Sequence, residues 1–422
     1  MNVILKDVNI HLENRQKSRC FFVFIWIVYA FVHMTKNGFG AAMASIVSEG
    51  ILTKSQTGLI IAVFYVVYAP LQVVGGVLAD RYSPEKLIKI GLSGAALVNL
   101  VIFFNHNYYV ILVAWTFNAV IQSPIWPAVF KIVSSQLVRS DRTNMVFLMS
   151  FSNSFGLILG YGMAAFIPSW QYNFLVSAVI LLICAVMLDL FCVKLDSYMK
   201  SDKKRNLKKL SRTRIHNFST LKLFAVGGFL FFLPSVLLRT SVENGIKTLS
   251  PVIMMESYTN VSASMGNILN LFVIASGILG VIIVKLVLYP KIIKNELTVV
   301  FIMLLLSVPF CLVMKFIGDV PIPIMVVSMC MISMLLTPTG LLTSYYNARF
   351  STYGKNGVAA GTSNAASSIG VILQSYGFVY IADVYNWNTV MSLWVIIIIT
   401  AIVFTLLAMF LFRKFEDSNY VF

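Results

Sequence analysis

The chain contains long runs of apolar residues that charged side chains hardly interrupt, for example residues 174–188 and 395–412. Such runs suit helices that cross the hydrocarbon core of a bilayer, since each crossing needs about 20 apolar residues. A membrane barrel would instead show segments of about 10 residues in which apolar and polar side chains alternate. Because a spanning helix satisfies its backbone hydrogen bonds internally, the sequence predicts an all-α membrane protein.

Composition indicates how many helices span the bilayer. Of the 422 residues, 59% are hydrophobic and 11% are charged, whereas soluble domains are about a quarter charged. Twelve spans would use about 240 residues, which is close to the hydrophobic content. We therefore predict twelve transmembrane helices, at residues 20–44, 55–79, 86–104, 108–135, 143–168, 171–194, 221–250, 263–288, 296–315, 321–347, 357–382 and 388–412.

The distribution of Lys and Arg predicts the orientation of these spans. The formal net charge is +16. If the N-terminus is cytoplasmic, nearly all cationic residues fall on the cytoplasmic side, and only Lys54 and Lys315 fall on the other. This asymmetry follows the positive-inside rule and predicts cytoplasmic N- and C-termini in the cell (inner or plasma) membrane. It also argues against nucleic-acid binding, because no soluble domain is present to display a basic surface.

The longest internal polar segment divides the predicted helices into two sets of six. We predict two six-helix bundles with a substrate path between them, the plan of many secondary transporters. The expected partners are a small-molecule substrate and the lipid bilayer, and we expect a monomer. The predicted domains are a cytoplasmic tail at 1–19, a bundle at 20–194, a basic cytoplasmic linker at 195–220, a second bundle at 221–412 and a cytoplasmic tail at 413–422.

Ionisable residues inside the predicted spans are the main candidates for function, because they are costly in a bilayer. Lys36 and Asn37 lie in the first span, and Arg239, Glu243 and Lys247 follow one another at four-residue spacing in the seventh. We expect Glu243 to neutralise Lys36 or Lys247 in the empty protein. An anionic solute, or a proton on Glu243, would break that pair. The alternative is an internal pair of Glu243 and Lys247 that only lowers the cost of insertion.

Polar and aromatic side chains in other spans are predicted to line the same pathway. Aromatic residues with a polar tip suit a pathway that fills with water in one access state and loses it in the other. They are also common at bilayer interfaces. Tyr345, near a predicted cytoplasmic end, fits either description. The predicted wall residues are Tyr65, Tyr68, Gln72, Trp126, Asn153, Tyr345 and Gln374.

The most specific motif is Gly-Gly-Val-Leu-Ala-Asp-Arg-Tyr-Ser-Pro-Glu-Lys at residues 75–86, between the second and third spans. It resembles the signature loop of the major facilitator superfamily. The glycines allow close helix contact, and Asp80 can accept bonds from a helix N-terminus or an arginine. We predict that Asp80 and Arg81 form a gate that stabilises one access state. The alternative is that they only solvate a short turn.

Within that superfamily the chain is most similar to the sugar-phosphate permease branch. The segments that carry this resemblance are Lys36-Asn37, residues 76–84, Gln122 to Pro127, Asn153, Gly245 to Pro251 and residues 357–361. The resemblance implies a substrate phosphate held by two arginines, a histidine and a lysine. This chain has Thr35, Glu243, Ser152 and Gln72 at those positions, so the clamp is absent unless Arg239 replaces one arginine.

These observations favour a secondary transporter that moves a small polar, anionic organic solute by alternating access. An exporter of amphipathic compounds is an alternative, since the chain has 32 Phe and 19 Met. A membrane sensor of the same fold that does not transport is another. We do not expect an enzyme, because no nucleophile, nucleotide or P-loop motif is present. The five cysteines and four histidines show no metal-site spacing, so no metal and no cofactor are expected.

Overall fold

The computed structural model describes residues 2–135, 142–167, 169–199, 220–353 and 355–417. Within these ranges, side-chain surroundings are described except at residues 2–18, 73, 80, 134, 135, 142–147, 150, 191–199, 351, 352, 356, 357, 416 and 417. All regular structure in the described ranges is helical. The predicted all-α class is therefore confirmed.

Eight helices lie in the described part of the first half of the chain. Several predicted spans are built from two helices that meet at a break. The first span breaks at Asn37, whose amide donates to the His33 carbonyl at 2.8 Å, and the fourth breaks just before Pro124 because proline lacks an N–H group. The helices are α1 (Asn2–Lys36), α2 (Gly38–Ser48), α3 (Lys54–Arg81), α4 (Pro84–Phe103), α5 (Tyr108–Gln122), α6 (Ile125–Ser135), α7 (Arg142–Phe166) and α8 (Trp170–Met199).

The second half is built in the same way. Its tenth span breaks at Pro338, and its eighth and eleventh spans contain π-helical segments, Val284–Leu288 and Leu373–Phe378. A short 3-10 helix covers Phe350–Tyr353. The α-helices are α9 (Thr220–Val226), α10 (Phe229–Ser257), α11 (Ala263–Ile283), α12 (Glu296–Met314), α13 (Ile322–Leu336), α14 (Pro338–Arg349), α15 (Asn356–Ile372), α16 (Val379–Val384) and α17 (Trp387–Asp417).

Ten helices of the described chain are long and apolar enough to cross a membrane, and α9 with α10 makes an eleventh if that bent pair counts as one span. The pair bends by 75° at Gly228, whose φ of 75° is a conformation that favours glycine. Each predicted span coincides with one of these elements or, for 143–168, with α7. The total of twelve and the cytoplasmic location of both termini stay predictions.

The chain forms two compact units. The first contains Met1–Ala42 and Val67–Lys208, and the second contains Met43–Val66 and Lys209–Phe422. Helix α3 therefore begins in the second unit and ends in the first. Most of the predicted linker, residues 200–219, lies outside the described chain, so the predicted domain boundaries stay predictions.

In the first unit, α1 packs against α7 and α4 packs against α8. The contact of α1 with α7 requires a small residue, because a Cβ atom at Gly156 would lie 2.5 Å from the Ala30 carbonyl oxygen. Small residues allow such close approach between helices in lipid. In the second unit, α10 is central and packs against α11, α15 and α17. The seventh span is therefore surrounded by protein along much of its length.

Candidate functional site

Helix α10 carries a row of three charged side chains, which we call the charged row: Arg239, Glu243 and Lys247. Four-residue spacing places them on one face of the helix. Lys247 Nζ lies 2.7 Å from Glu243 Oε1, and Arg239 Nη1 lies 3.7 Å from Glu243 Oε2. Arg239 is 1% exposed and Lys247 is 7% exposed. One carboxylate thus lies between two buried cations, which gives the charged row a formal charge of +1.

The guanidinium group of Arg239 is held by two hydroxyl groups of α14. Its Nη1 donates to Thr339 Oγ1, and its Nη2 donates to Thr343 Oγ1 at 2.7 Å. The hydroxyl group of Thr343 donates a hydrogen bond to the carbonyl of Thr339 at 2.8 Å, which leaves its lone pairs for the arginine. Arg239 Nε has no hydrogen-bond partner within the described chain. Much of the planar donor face of Arg239 is therefore already occupied.

The position of Lys247 follows from a proline one turn further along α10. Pro251 has no N–H group, so the carbonyl of Lys247 lacks its usual helical partner. Asn270 of α11 supplies that bond, with Nδ2 at 2.7 Å from the Lys247 carbonyl oxygen. Ser250 in turn donates to Asn270 Oδ1 at 2.7 Å. The unpaired carbonyl that proline creates inside the membrane is thus satisfied by a neighbouring helix.

In the first unit, Lys36 lies at the end of α1 and contacts an aromatic ring. Its Nζ is 3.8 Å from the ring centroid of Tyr68, which is within the range of a cation–π interaction. Trp126 stacks on Tyr29 with centroids 5.1 Å apart, and Tyr29 meets His33 edge to face at 4.5 Å. The structure therefore places Lys36 against Tyr68, two residues that were each predicted to line the pathway, and it places Trp126 against the turn of α1 that precedes Lys36.

Other predicted wall residues lie in separate surroundings. Tyr65 and Gln72 are partly buried on α3, and Asn153 is exposed on α7. Tyr345 stacks on Tyr289, with ring centroids 5.3 Å apart. Gln374 is buried in the π-helical segment, where its Nε2 lies 3.2 Å from Ser375 Oγ. Their part in solute binding stays a prediction.

The predicted gate is described only in part. The side chain of Asp80 lies outside the described chain, and Arg81 is exposed. Lys131 donates to the carbonyl of Ala79, so a cation sits at the negative end of α3. A Cβ atom at Gly75 would lie 2.8 Å from Pro124 Cα, so the glycine of the motif permits close helix contact. Lys131 thus contacts the motif directly.

The resemblance implies phosphate-binding side chains at four positions that this chain fills with other residues. At two of these positions, a hydroxyl group bonds to a backbone carbonyl of its own helix. Thr35 donates to the Val32 carbonyl at 3.0 Å, and Ser152 donates to the Met149 carbonyl at 2.6 Å. Both side chains are fully buried. No group of three metal-ligating side chains occurs within the described chain.

Sequence reasoning missed four residues of these clusters: Tyr29, His33, Thr339 and Thr343. The two threonines offered one signal, because they are four residues apart and fall on one face of a predicted span. Their partner Arg239 is about a hundred residues away in sequence. Tyr29 and His33 likewise precede Lys36 on one face of the first span. Spacing of this kind does not identify the partner helix.

The fold and the buried charges define a multi-pass helical membrane protein with ionisable groups inside its spanning helices, as in secondary transporters. Residues 25–288 match the family model of the Major Facilitator Superfamily. That match covers more than half of the chain, and the chain belongs to this superfamily. It is accordingly a multi-pass cell-membrane protein of a transporter family and not an enzyme.

Curated relatives match over shorter segments. The chain is 24% identical over 167 residues to the membrane sensor protein UhpC of Escherichia coli (strain K12), which is 39% of this chain and 38% of the relative. It is 28% identical over 137 residues to a probable hexose phosphate transport protein of Chlamydia pneumoniae, which is 32% of this chain and 30% of the relative. The matches thus span about two fifths or less of these relatives. They confirm the resemblance to the sugar-phosphate permease branch.

The fold is also similar to a solved structure over nearly its whole length. A bacterial homolog of the human lysosomal transporter Spinster, in an inward-facing and unoccupied conformation, aligns with a TM-score of 0.73 and 12% identity. The alignment covers 94% of this chain and 98% of that one. At this identity the similarity shows the fold alone.

Proposed function

We propose that this protein is a secondary transporter that moves a small anionic organic solute by alternating access, and that the charged row of α10 contacts the solute. The observation that carries the proposal is the excess of one positive charge in the charged row, where two buried cations share one partly buried carboxylate. An excess cation inside a spanning helix is costly. A solute with an anionic group would balance it.

Lys247 is the group that we expect to meet the anion first. The ammonium group has three donors, and one of them bonds to Glu243 at 2.7 Å. The donors of Arg239 are already directed at Thr339 and Thr343. An anion that approaches Lys247 competes with Glu243 for the same cation. We infer that solute binding weakens this ion pair, and that a proton on Glu243 has the same effect.

Phosphorylated hexoses are the first solutes to test, because the Chlamydia pneumoniae relative is described as a probable hexose phosphate transport protein. A second candidate function is that of a membrane sensor, because another relative is described as one. The hydroxyl groups of Thr35 and Ser152 favour it, since they bond to their own helices and leave no clamp for a phosphate. A sensor binds its solute and does not move it.

The test uses purified protein in sealed vesicles with radiolabelled glucose 6-phosphate outside and inorganic phosphate inside, with and without a pH gradient. We expect uptake by the wild-type chain, loss of uptake or of its pH dependence in Glu243→Gln, and weakened uptake in Lys247→Met. Lys89→Ala is the matched control, because Lys89 forms an ion pair whose side chains are about half exposed.

The outcomes separate the candidate functions. Binding without uptake would support the sensor. Uptake of amphipathic compounds but of no organic anion would support an exporter. If Glu243→Gln transports as the wild type does, at every pH tested, the role of the charged row is refuted.

A further inference from the structure

A group of buried polar side chains lies inside the first unit, on α4, α5 and α8, and we call it the polar file. Its members are 0% to 3% exposed, and they are Asn99, Asn118, Gln122, Trp170 and Asn173. Six of their side-chain atoms have no hydrogen-bond partner within the described chain. An unpaired polar group inside a membrane is costly, so these six atoms require a partner.

The packing of α4 on α5 brings two members of the polar file to the same level. A Cβ atom at Gly94 of α4 would lie 2.8 Å from the side chain of Ile121 of α5. The two helices are joined only by residues 104–107, so they run in opposite directions. Asn99 follows Gly94 by five residues and Asn118 precedes Ile121 by three. At 1.5 Å per residue, the two asparagines lie within about 3 Å of each other along the helix axis.

An aromatic cluster connects α5 to α8 at this level. The ring centroids of Trp115 and Phe174 are 6.1 Å apart, and the ring of Phe39 from α2 is 5.3 Å and 5.7 Å from them. Asn118 follows Trp115 by about one turn, and Asn173 precedes Phe174 directly. The polar file therefore continues from α5 to α8 beside these rings.

The inner end of the polar file adjoins the break in the fourth span. Gln122 Nε2 donates to Asn118 Oδ1 at 3.0 Å. Two residues later, Pro124 cannot donate to the carbonyl of Val120, and Ser123 Oγ donates to that carbonyl instead at 2.9 Å. The backbone at the break thus has its own partner, and the unpartnered atoms belong to the polar file.

The chemistry of the six atoms indicates what binds them. Three are donors, Asn118 Nδ2, Asn173 Nδ2 and Trp170 Nε1, and three are acceptors, Asn99 Oδ1, Gln122 Oε1 and Asn173 Oδ1. None of the five side chains is charged. A bound cation would need acceptors alone, and a bound anion would need donors alone. Water both donates and accepts, and a buried water molecule makes about three hydrogen bonds.

We propose that the polar file is a hydration site that binds about two or three ordered water molecules inside the first unit. These waters supply the hydrogen bonds that the surrounding apolar side chains cannot. The charged row lies in the second unit, and the proposal depends neither on it nor on the identity of the solute.

The test is hydroxyl-radical footprinting of the protein in lipid nanodiscs. X-ray radiolysis produces the radicals from water, so a buried ring is oxidised quickly only where water is bound beside it. Phe174, which is 1% exposed, is the reporter. Phe232 of the second unit is the matched control, because it is 0% exposed and packs on Tyr346, whose hydroxyl group already donates to the Gly227 carbonyl. We expect mass spectrometry to show Phe174 oxidised about tenfold faster than Phe232.

A pair of variants tests whether the amide groups hold the water. Asn173→Leu keeps the approximate size of the side chain and removes two of the six unpartnered atoms, so oxidation of Phe174 should slow about threefold. Asn267→Leu is the matched control. Asn267 is also fully buried with both amide atoms unpartnered within the described chain, but it lies on α11 in the second unit. This control should oxidise Phe174 at the wild-type rate, and a thermal unfolding midpoint for each variant shows whether it is folded.

Two results would overturn the hydration site. The first is oxidation of Phe174 no faster than that of Phe232 in the wild type, which would show that the polar side chains bond to one another without water. This comparison needs no variant, so it holds even if Asn173→Leu does not fold. The second is an equal slowing in Asn173→Leu and Asn267→Leu, which would show a general effect of replacing a buried amide.

Discussion

The bond between Arg239 and Thr343 provides a sharp test of how the charged row is built. Thr343→Val keeps the shape of the side chain and removes the acceptor of Arg239 Nη2, which lies 2.7 Å away. Arg239 is 1% exposed, so water cannot easily replace the lost bond. Hydrogen bonds to charged groups are worth about 1.5–3 kcal/mol. We expect Thr343→Val to lower the free energy of unfolding by about 2 kcal/mol.

The assay is denaturant unfolding of the purified protein in mixed micelles, arranged as a double-mutant cycle. In an Arg239→Met background no cation needs the hydroxyl, so Thr343→Val should cost less than about 0.5 kcal/mol. Thr343→Ser retains the acceptor and is the matched control. Equal costs of Thr343→Val in both backgrounds would refute the reasoning, because the loss would then come from packing of the threonine and not from its bond to arginine.

Three further predictions concern packing and charge elsewhere. Glu296 is fully buried and accepts two hydrogen bonds from Arg349, of 2.8 and 2.9 Å. Glu296→Gln should therefore lower the free energy of unfolding by about 2 kcal/mol. Asp189→Asn, at an exposed ion pair, should change it by less than about 0.5 kcal/mol. A Cβ atom at Gly280 would collide with the Met334 carbonyl oxygen, and one at Gly361 would meet open space. Unfolding measurements should show Gly280→Ala destabilising by about 1–3 kcal/mol and Gly361→Ala neutral or stabilising by up to about 1 kcal/mol. Burial, and secondarily the Glu296 carboxylate, raise the pKa of Tyr289 above its ordinary value, so its contribution to stability is present below the unfolded pKa of about 10 and is lost as pH rises through the folded value. Tyr289→Phe should unfold with a weaker dependence on alkaline pH than the wild type, and an unchanged dependence would contradict this.

The positions of the membrane helices follow almost directly from the sequence. The span predicted at 86–104 is Pro84–Phe103, and the span predicted at 263–288 is Ala263–Leu288. This agreement has a physical reason. Burial in lipid depends on the apolar character of about 20 consecutive residues, so the signal is local and does not require knowledge of neighbouring helices.

The partners of the buried charges could be predicted only where they are close in sequence. Glu243 and Lys247 are four residues apart, and helical spacing predicted that they could pair. The other partner considered for Glu243 was Lys36. The bonds from Arg239 to α14 and from Lys54 to Glu256 join residues about 100 and 200 positions apart. Such contacts depend on which helices pack together, which the hydropathy pattern of single spans does not determine. Side-chain identity alone therefore indicated that Arg239 matters, but not what it binds.

The charged row allows a choice between a purely structural role and a role in transport. A row that only lowers the cost of membrane insertion needs one cation for its one carboxylate, and Lys247 at 2.7 Å already supplies it. Arg239 adds a second buried cation, and its removal would leave Glu243 paired with Lys247 while it removes the cost of burying an excess charge. We therefore expect Arg239→Met to leave the free energy of unfolding unchanged or to raise it, while it weakens the binding of organic anions. Thermal unfolding and equilibrium binding of glucose 6-phosphate on the same preparation check both expectations. A variant that is less stable and binds the anion as tightly as before would show that Arg239 is present for the fold and not for a solute.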